Sequence, residues 1–360
     1  MADIIKNIKA HLPTQRRLIQ LYSALLYNAH VKGFISGNIF TGGSKLLCVP
    51  GLNCYSCPGA VGACPLGALQ NALSASNNRA PFYILGILML YGLILGRTIC
   101  GYICPMGLLQ ELLHKIPTPK IKKSRLTRWL SYLKYVFLAV LVIALPLWYA
   151  GQYIPVPAFC KYICPAGTFE GAVGLLSNPA NTPLFPMLGA LFTQKFVILV
   201  AICGLCVFCY RAFCRFICPL GAIYGFFASA NLVGVKVEQA KCVDCGKCVR
   251  ECGMDVRHVG DHECINCGEC IDGCPTKAIA FKAGKITLRE HNVAYSPEEK
   301  QKDFGHGLVC CNCSAAVCID FRKYRYVNQR TCCKIKQQVL CCIISAFYAS
   351  FQGLCLFLLR

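Results

Sequence analysis

The residues best suited to chemistry are eight cysteines in two consecutive Cys-x-x-Cys-x-x-Cys-x-x-x-Cys runs. Three cysteines at intervals of three can surround one face of an iron–sulfur cubane, whereas the fourth lies past a turn. In bacterial [4Fe–4S] ferredoxins the fourth cysteine of each run binds the other cluster. The spacing therefore predicts two [4Fe–4S] clusters. The predicted ligands are Cys242, Cys245, Cys248 and Cys274 for one cluster and Cys264, Cys267, Cys270 and Cys252 for the other.

Zinc is the alternative for any single Cys-x-x-Cys pair, since two such pairs make a structural zinc site. Eight cysteines in a doubled register favour iron and sulfur instead. The segment between the two runs carries Asp255, His258, Asp261 and His262, which could form a separate metal site. A solvated connection is the favoured interpretation of that segment.

A second motif, Cys-x-x-x-Cys-Pro-x-Gly, occurs three times, and a related copy ends in Cys-Pro-Leu-Gly. Proline after the second cysteine suits the first position of a helix, where its missing N–H is not needed. The thiolates would then lie at a helix N-terminus, which favours an anionic group. Candidate ligands for further clusters are therefore Cys54, Cys57, Cys64, Cys100, Cys104, Cys160, Cys164, Cys214 and Cys218.

Composition places these motifs in a membrane protein, because the 360 residues are 56% hydrophobic. Spanning helices need roughly 20 apolar residues. An amphipathic surface helix is the alternative for the first candidate, which carries polar residues. The candidate spans are about 18–38, 81–96, 133–150, 187–209 and 338–359.

Basic residues give the predicted orientation of these spans. The net charge of +21 is concentrated in loops beside apolar segments, notably 115–128, and Arg16, Arg17, Arg211 and Arg215 also flank spans. This pattern follows the positive-inside rule and does not indicate nucleic acid. We therefore expect a multi-pass protein of the prokaryotic cytoplasmic membrane. The N-terminus and the segments 97–132 and 211–303 would be cytoplasmic.

The predicted topology pairs the repeated motifs. Each copy supplies two thiolates, so a four-thiolate site needs two copies. Cys100 and Cys104 would meet Cys214 and Cys218 at the cytoplasmic face. The group of Cys54, Cys57 and Cys64 would meet Cys160 and Cys164 at the opposite face. Two alternatives remain, namely buried cysteines that only pack at loop ends and a disulfide at the outer face.

The combination of motifs over residues 15–290 resembles the membrane-bound [4Fe–4S] polyferredoxins of the NapH/NosR type. The resemblance implies electron transfer across or along the cytoplasmic membrane, between a quinol or soluble donor and a partner redox enzyme. One departure is Gly253, where the family has proline after the fourth cysteine, as this chain has at Pro275.

The predicted fold is an α-helical polytopic membrane protein with a small α+β domain of the bacterial double [4Fe–4S] ferredoxin type. Residues 1–233 would form the membrane domain, with about four spans, and 234–290 the cytoplasmic ferredoxin-like domain. In the latter, a short helix from Thr276 leads into a strand and a hairpin at 283–288. The cysteine doublets of 291–360 match no cluster motif and indicate either a frameshift near 303 or a terminal span at 338–359.

No acid–base pair, nucleophile constellation or phosphate loop stands out, so independent catalysis is not expected. The sequence predicts an electron-transfer subunit with two ferredoxin clusters and one or two further clusters, since the cofactor carries the redox chemistry. A redox assembly or maturation factor and a cluster-based redox sensor are the alternatives.

For several isolated cysteines and histidines, the sequence is compatible with both a ligand role and a structural role. Apolar packing is favoured for the cysteines and a non-ligand role for the histidines. These residues are Cys48, Cys203, Cys206, Cys209, His30 and His114.

Overall fold

A computed structural model describes residues 15–75, 81–121 and 123–290. The predictions for the tail after residue 303, including the span at 338–359, lie outside this range. The described part is mostly helical, with one small sheet. The helices are α1 Gln15–Tyr27, α2 Lys32–Ser36, α3 Pro65–Ser74, α4 Phe82–Ile94, α5 Thr98–Tyr102, α6 Pro105–His114, α7 Arg125–Gly151, α8 Ala158–Tyr162, α9 Gly167–Val173 with its continuation Gly174–Leu176, α10 Ala190–Phe208, α11 Ala212–Phe216, α12 Pro219–Phe226, α13 Lys247–Arg250 and α14 Glu269–Asp272, together with the 3₁₀ segments Gly43–Leu46 and Pro179–Met187.

Two described helices, α7 and α10, are long and apolar enough to cross a membrane. Helix α4 is apolar but has only 13 residues. The described residues thus contain two helices of spanning length, fewer than the four predicted from the sequence.

The first predicted span, 18–38, is wrong as a single helix, because α1 ends at Tyr27 and α2 begins at Lys32. Helix α1 buries polar residues and exposes apolar ones. Arg16, Gln20 and Ser23 point inward, whereas Leu21 and Leu25 are 48% and 64% exposed. An apolar outer face of this kind is unfavourable in water.

The Cys-Pro pairs begin helices as the sequence predicts. Helices α3, α6 and α12 each start at the proline, with Cys64, Cys104 and Cys218 at the N-cap position. Proline's fixed φ suits this position. The Gly221 N–H also donates to the Cys218 sulfur at 3.4 Å. The helix starts therefore hold these cysteines at fixed places.

The ferredoxin-type module contains a three-stranded antiparallel sheet in the order β1 Val233–Val237, β2 Ile279–Ala283, β3 Ile286–Arg289. The predicted hairpin is present, and Gly284 turns it with a φ of +60°. A turn, and not the predicted short helix, precedes β2 at Thr276.

Buried ion pairs join the module to the helical part. Arg97 contacts Glu263 at 3.1 Å, and Lys134 contacts the other oxygen of that carboxylate at 2.5 Å. Arg215 pairs with Asp255, and both side chains are almost fully buried. Burying charges is tolerated when they are paired and hydrogen-bonded.

These pairs correct two sequence-based expectations. Arg16, Arg211 and Arg215 were assigned to basic loops, but all three are buried in ion pairs. The segment between the cysteine runs is only partly solvated, since Asp255 and Asp261 are 3% and 4% exposed whereas Arg257 and His258 are exposed. Burial raises the pKa of Asp261, but hydrogen bonds from His262 and the Arg257 backbone outweigh it and lower the pKa overall.

The departure at Gly253 has a packing reason. A Cβ at this position would lie 2.7 Å from the Tyr210 ring, which belongs to the helical part. Tyr210 is held there by a 2.8 Å hydrogen bond from its hydroxyl to Glu111. The space that the family's proline ring would fill is thus taken by Tyr210.

Candidate iron–sulfur centres

The four cysteines Cys100, Cys104, Cys214 and Cys218 are buried and line one small cavity, which we call the inner site. Helices α5 and α11 carry the first cysteine of each copy, and the second cysteine precedes α6 or α12. Two copies of the motif, with two thiols each, therefore lie around one cavity.

A second cavity of about 290 Å³, the outer site, is lined by Cys54, Cys64, Cys160 and Cys164. Cys57, the fifth predicted member, is buried but does not line this cavity.

The ferredoxin-type module has a cavity of about 240 Å³. Its lining combines the first three cysteines of the second run with the last cysteine of the first run, as the crossed ligand pattern requires. These residues are Cys264, Cys267, Cys270 and Cys252, and Cys248 reaches the same cavity.

The other predicted ligand set of the module lies nearby. Cys245 and Cys242 interact electrostatically with Cys248. Cys248 and Cys274 pack against the same small core, which contains Ile279 from the sheet. Cys245 is exposed, so this end of the module faces the surface.

The donors at the inner and outer sites are four cysteine sulfurs each, which is the ligand set that a [4Fe–4S] cluster takes. Within the described ranges, no group of three His, Cys, Asp or Glu side chains could hold one metal ion. A zinc ion would need its sulfur ligands about 2.3 Å from one point. Every cysteine in these ranges is free of a disulfide bond.

The raised pKa values of several of these thiols are compatible with cluster binding. Burial is the main cause that raises the pKa values of Cys54, Cys64 and Cys104 to about 12. Thiols in such surroundings stay neutral until a metal replaces the proton. These three thiols therefore carry no charge at neutral pH before a metal binds.

Buried cations surround the inner site. Arg97 and Arg211 each stand three residues before the first cysteine of their copy, and both are fully buried. Arg211 donates to the Cys100 carbonyl at 2.5 Å. Nε and Nη2 of Arg97 are buried without a hydrogen-bond partner among the described residues. An anionic cluster held by the neighbouring cysteines would complement these groups.

Direct contacts connect the module with the inner site, and the inner site with the outer site. A Cβ at Gly101 would lie 2.3 Å from the Ile265 carbonyl oxygen, so α5 touches the cysteine loop of the module. Leu52, which is 2% exposed, lines both the inner and the outer cavity. The two cavities thus share a lining residue and adjoin each other, whereas the sequence predicted them at opposite faces of a bilayer.

Sequence reasoning missed several polar residues at these sites. Gln70 and Gln110 both stand six residues after a Cys-Pro cysteine, and each amide contacts a cysteine sulfur. Glu170 has the same spacing and accepts the Cys54 N–H at 2.6 Å. The repeated spacing, together with Arg97 and Arg211, was the signal available in the sequence.

The remaining candidates have structural contacts. Cys206 is buried against Gln110 and lines neither cavity, and Cys48 offers its carbonyl to the Tyr91 hydroxyl at 2.8 Å. His30 and His114 contact backbone carbonyls at 3.3 Å.

Comparison with known proteins identifies the family. A model described as a 4Fe-4S binding domain matches residues 78–124, 135–180 and 196–237, which contain the three Cys-x-x-x-Cys-Pro copies. The uncharacterized protein MJ0750 of Methanocaldococcus jannaschii is 32% identical over 54% of this chain and 76% of its own length. The regulatory protein NosR of Pseudomonas aeruginosa is 28% identical over 46% of this chain and 21% of its own length. The chain belongs to the 4Fe-4S protein family of the NapH/NosR type.

Another relative in this family carries a description of its role. The putative electron transport protein YccM of Escherichia coli is 25% identical over 49% of this chain and 47% of its own length. The family is one of iron–sulfur electron transport proteins. No solved structure matches the chain significantly.

Proposed function

We propose that this protein is a membrane-embedded electron carrier with four iron–sulfur sites in series. Two sites would lie in the ferredoxin-type module, one at the inner site and one at the outer site. The bound clusters would supply one-electron redox chemistry. The protein would pass electrons between a cytoplasmic or quinol donor and a partner redox enzyme.

The main support for this proposal is that neighbouring cysteine sites are joined by direct contacts. Gly101 lies against the backbone of Ile265 in the module, between Cys264 and Cys267. On the other side of the inner site, the Leu52 backbone donates to the Cys104 thiol, two residues before Cys54 of the outer site. Such contacts keep successive centres close, which rapid electron transfer requires.

The distribution of polar and apolar side chains supports a membrane location. Arg97, Arg211 and Lys134 are fully buried, whereas Trp148 and Val197 are 68% and 61% exposed on the two long helices. In water this pattern would be costly, but in lipid the apolar residues face outward and charges pair inside the bundle. We infer a multi-pass protein with its ferredoxin-type module in the cytoplasm.

The experiment is a cysteine exchange read by EPR and iron analysis of anaerobically purified protein. We expect about sixteen iron atoms per wild-type chain if all four sites hold cubanes. Cys104→Ser and Cys218→Ser should abolish the same EPR signal, because both cysteines line the inner site. Cys64→Ser and Cys164→Ser should abolish a different one.

Cys203→Ser is the matched control, since Cys203 lies on α10 and lines none of the three cavities. It should keep the wild-type iron content and signals. About eight iron atoms in the wild type, with no signal lost on changing Cys104 or Cys218, would restrict the clusters to the module and refute the inner and outer centres.

A further inference from the structure

We propose that Gln110 and Gln70 raise the reduction potentials of the inner and outer centres by donating an amide N–H to one cysteine ligand of each. The inference rests on the proposed function, because it requires clusters at both sites. Each glutamine is thus a positioning residue that acts on a centre through a ligand, and neither is itself a ligand.

The two glutamines make the same contacts. Gln110 Nε2 lies 3.0 Å from the Cys214 sulfur and 3.0 Å from the Met106 carbonyl oxygen. Gln70 Nε2 lies 3.2 Å from the Cys160 sulfur and 3.2 Å from the Leu66 carbonyl oxygen. Each glutamine extends from the helix after one motif copy to the first cysteine of the opposing copy, so the contact joins the two halves of the site.

The backbone fixes the orientation of both amides. The Oε1 atom of Gln110 accepts the Phe213 N–H at 3.1 Å and the Cys214 N–H at 3.3 Å, and that of Gln70 accepts the Phe159 N–H at 2.8 Å. Backbone N–H groups only donate, so the amide oxygen must face them. The NH₂ group therefore has to face the sulfur in each site.

Burial makes these hydrogen bonds effective. Gln70 is 0% exposed and Gln110 is 1% exposed, so water does not compete for the sulfur. A hydrogen bond to an ionised acceptor is stronger than one between neutral groups, and low polarity strengthens it further. Since reduction adds negative charge to the cluster and its thiolates, an N–H donor favours the reduced state and raises the potential.

The two remaining motif copies, whose second cysteines are Cys164 and Cys218, have no glutamine at this position. In each site, therefore, only one of the two copies provides a glutamine N–H donor. At the same position the remaining copies carry Glu170, which accepts the Cys54 N–H, and Tyr224, which donates to the Pro50 carbonyl at 2.8 Å. Neither side chain donates to a sulfur atom within the described residues. Each centre thus receives one glutamine donor, directed at Cys214 or at Cys160.

The test is an EPR-monitored redox titration of the purified holoprotein carrying Gln110→Leu or Gln110→Glu. Leucine removes the donor without adding charge, whereas glutamate keeps an oxygen for the two backbone N–H groups. We expect the signal assigned to the inner centre by the cysteine exchanges to shift to a more negative midpoint potential, further for glutamate. Its iron content and the outer signal should stay unchanged.

Gln70→Leu and Gln70→Glu are the matched controls, because they should shift only the outer signal. A wild-type potential at full iron content, or an equal shift of both signals, would overturn the inference. If both the leucine and the glutamate variant at one position lose the cluster, the glutamine is required for cluster assembly. That result would also overturn the inference that it tunes the potential. In each of these results the wild type still carries the inner and outer centres, so the proposed function survives.

Discussion

At the scale of single residues, the main feature is a carboxylate that gathers several partners. Glu111 is 4% exposed and accepts from Arg16 at 2.7 Å, from Arg211 at 2.7 Å and from the Tyr210 hydroxyl at 2.8 Å. Arg16 also contacts Glu269 of the module at 3.1 Å. This group of charges links α1, α6 and the residue before α11 beside the inner site.

Glu111→Gln should destabilise the protein by about 3–5 kcal/mol, because it leaves the buried guanidinium of Arg211 without its counter-charge and leaves Arg16 paired only with the exposed Glu269. Thermal unfolding followed by circular dichroism measures the change. Glu238→Gln is the control, since its pair with Lys241 is exposed and contributes at most ~1 kcal/mol. Equal, small effects of the two changes would contradict the assigned role of Glu111.

The carboxylate of Glu111 should also make the stability of the folded protein depend on pH. Burial opposes its ionisation, but Arg211 and Arg16 outweigh burial and lower the pKa of Glu111 from 4.5 to about 2. A lowered pKa contributes stability that is full above the unfolded value and is lost as the pH falls toward the folded value. The difference in Tm between wild type and Glu111→Gln should therefore shrink between pH 4.5 and pH 2.

At the scale of elements, the structure depends on close packing between short helices and the cysteine loops of the module. Helix α5 approaches so closely that Gly101 contacts the Ile265 carbonyl, and the Tyr102 hydroxyl donates to the Cys267 carbonyl at 3.4 Å. Arg16 also donates to the Gly101 carbonyl at 3.3 Å. The absence of a side chain at position 101 permits this contact.

Gly101→Ala should destabilise the protein by about 1–3 kcal/mol, because the new methyl group overlaps backbone that cannot move freely. Thermal unfolding again gives the measurement. Gly204→Ala is a matched control on α10, where a Cβ meets nothing within 4 Å. It should be neutral or stabilising, since alanine is the better helix former. Equal destabilisation by both changes would show that contact with the module is not the cause.

At the scale of the whole molecule, the proposed orientation in a membrane rests on the charges that remain exposed. After Arg16, Arg211 and Arg215 are assigned to buried pairs, the loop before and at the start of α7 still presents a basic surface. Its exposed residues are Lys115, Lys120, Lys123, Arg125 and Arg128. The positive-inside rule therefore still favours a cytoplasmic loop.

A membrane-impermeant amine reagent should modify Lys115 only in inverted vesicles and Lys161 only in right-side-out vesicles, as read by peptide mass spectrometry. Both side chains are exposed, but Lys115 follows α6 and Lys161 lies in α8, in segments that we propose to face opposite sides of the membrane. Labelling of both lysines from one side would contradict the proposed orientation. Labelling after detergent solubilisation provides the control that both amines react.

Several features of this protein depend on local spacing and could be predicted from the amino-acid sequence. The two cysteine runs predicted the crossed grouping of Cys252 with Cys264, Cys267 and Cys270, because that pattern follows from the reach of a short loop around a cubane. The Cys-Pro pairs predicted helix starts, because proline's restrictions are local. The pairing of motif copies was predicted from the number of thiolates and from a topology of about four spans, of which the described residues contain two helices of spanning length.

The tertiary structure adds which charges are buried, which cavities adjoin, and which side chains contact the cysteine sulfurs. Leu52 lines both the inner and the outer cavity, and Gln110 reaches Cys214 across 104 positions of the chain. A basic residue beside an apolar segment has the same sequence pattern whether it faces water or a buried carboxylate. Contacts between distant parts of the chain depend on how the helices pack, and no local spacing records that packing.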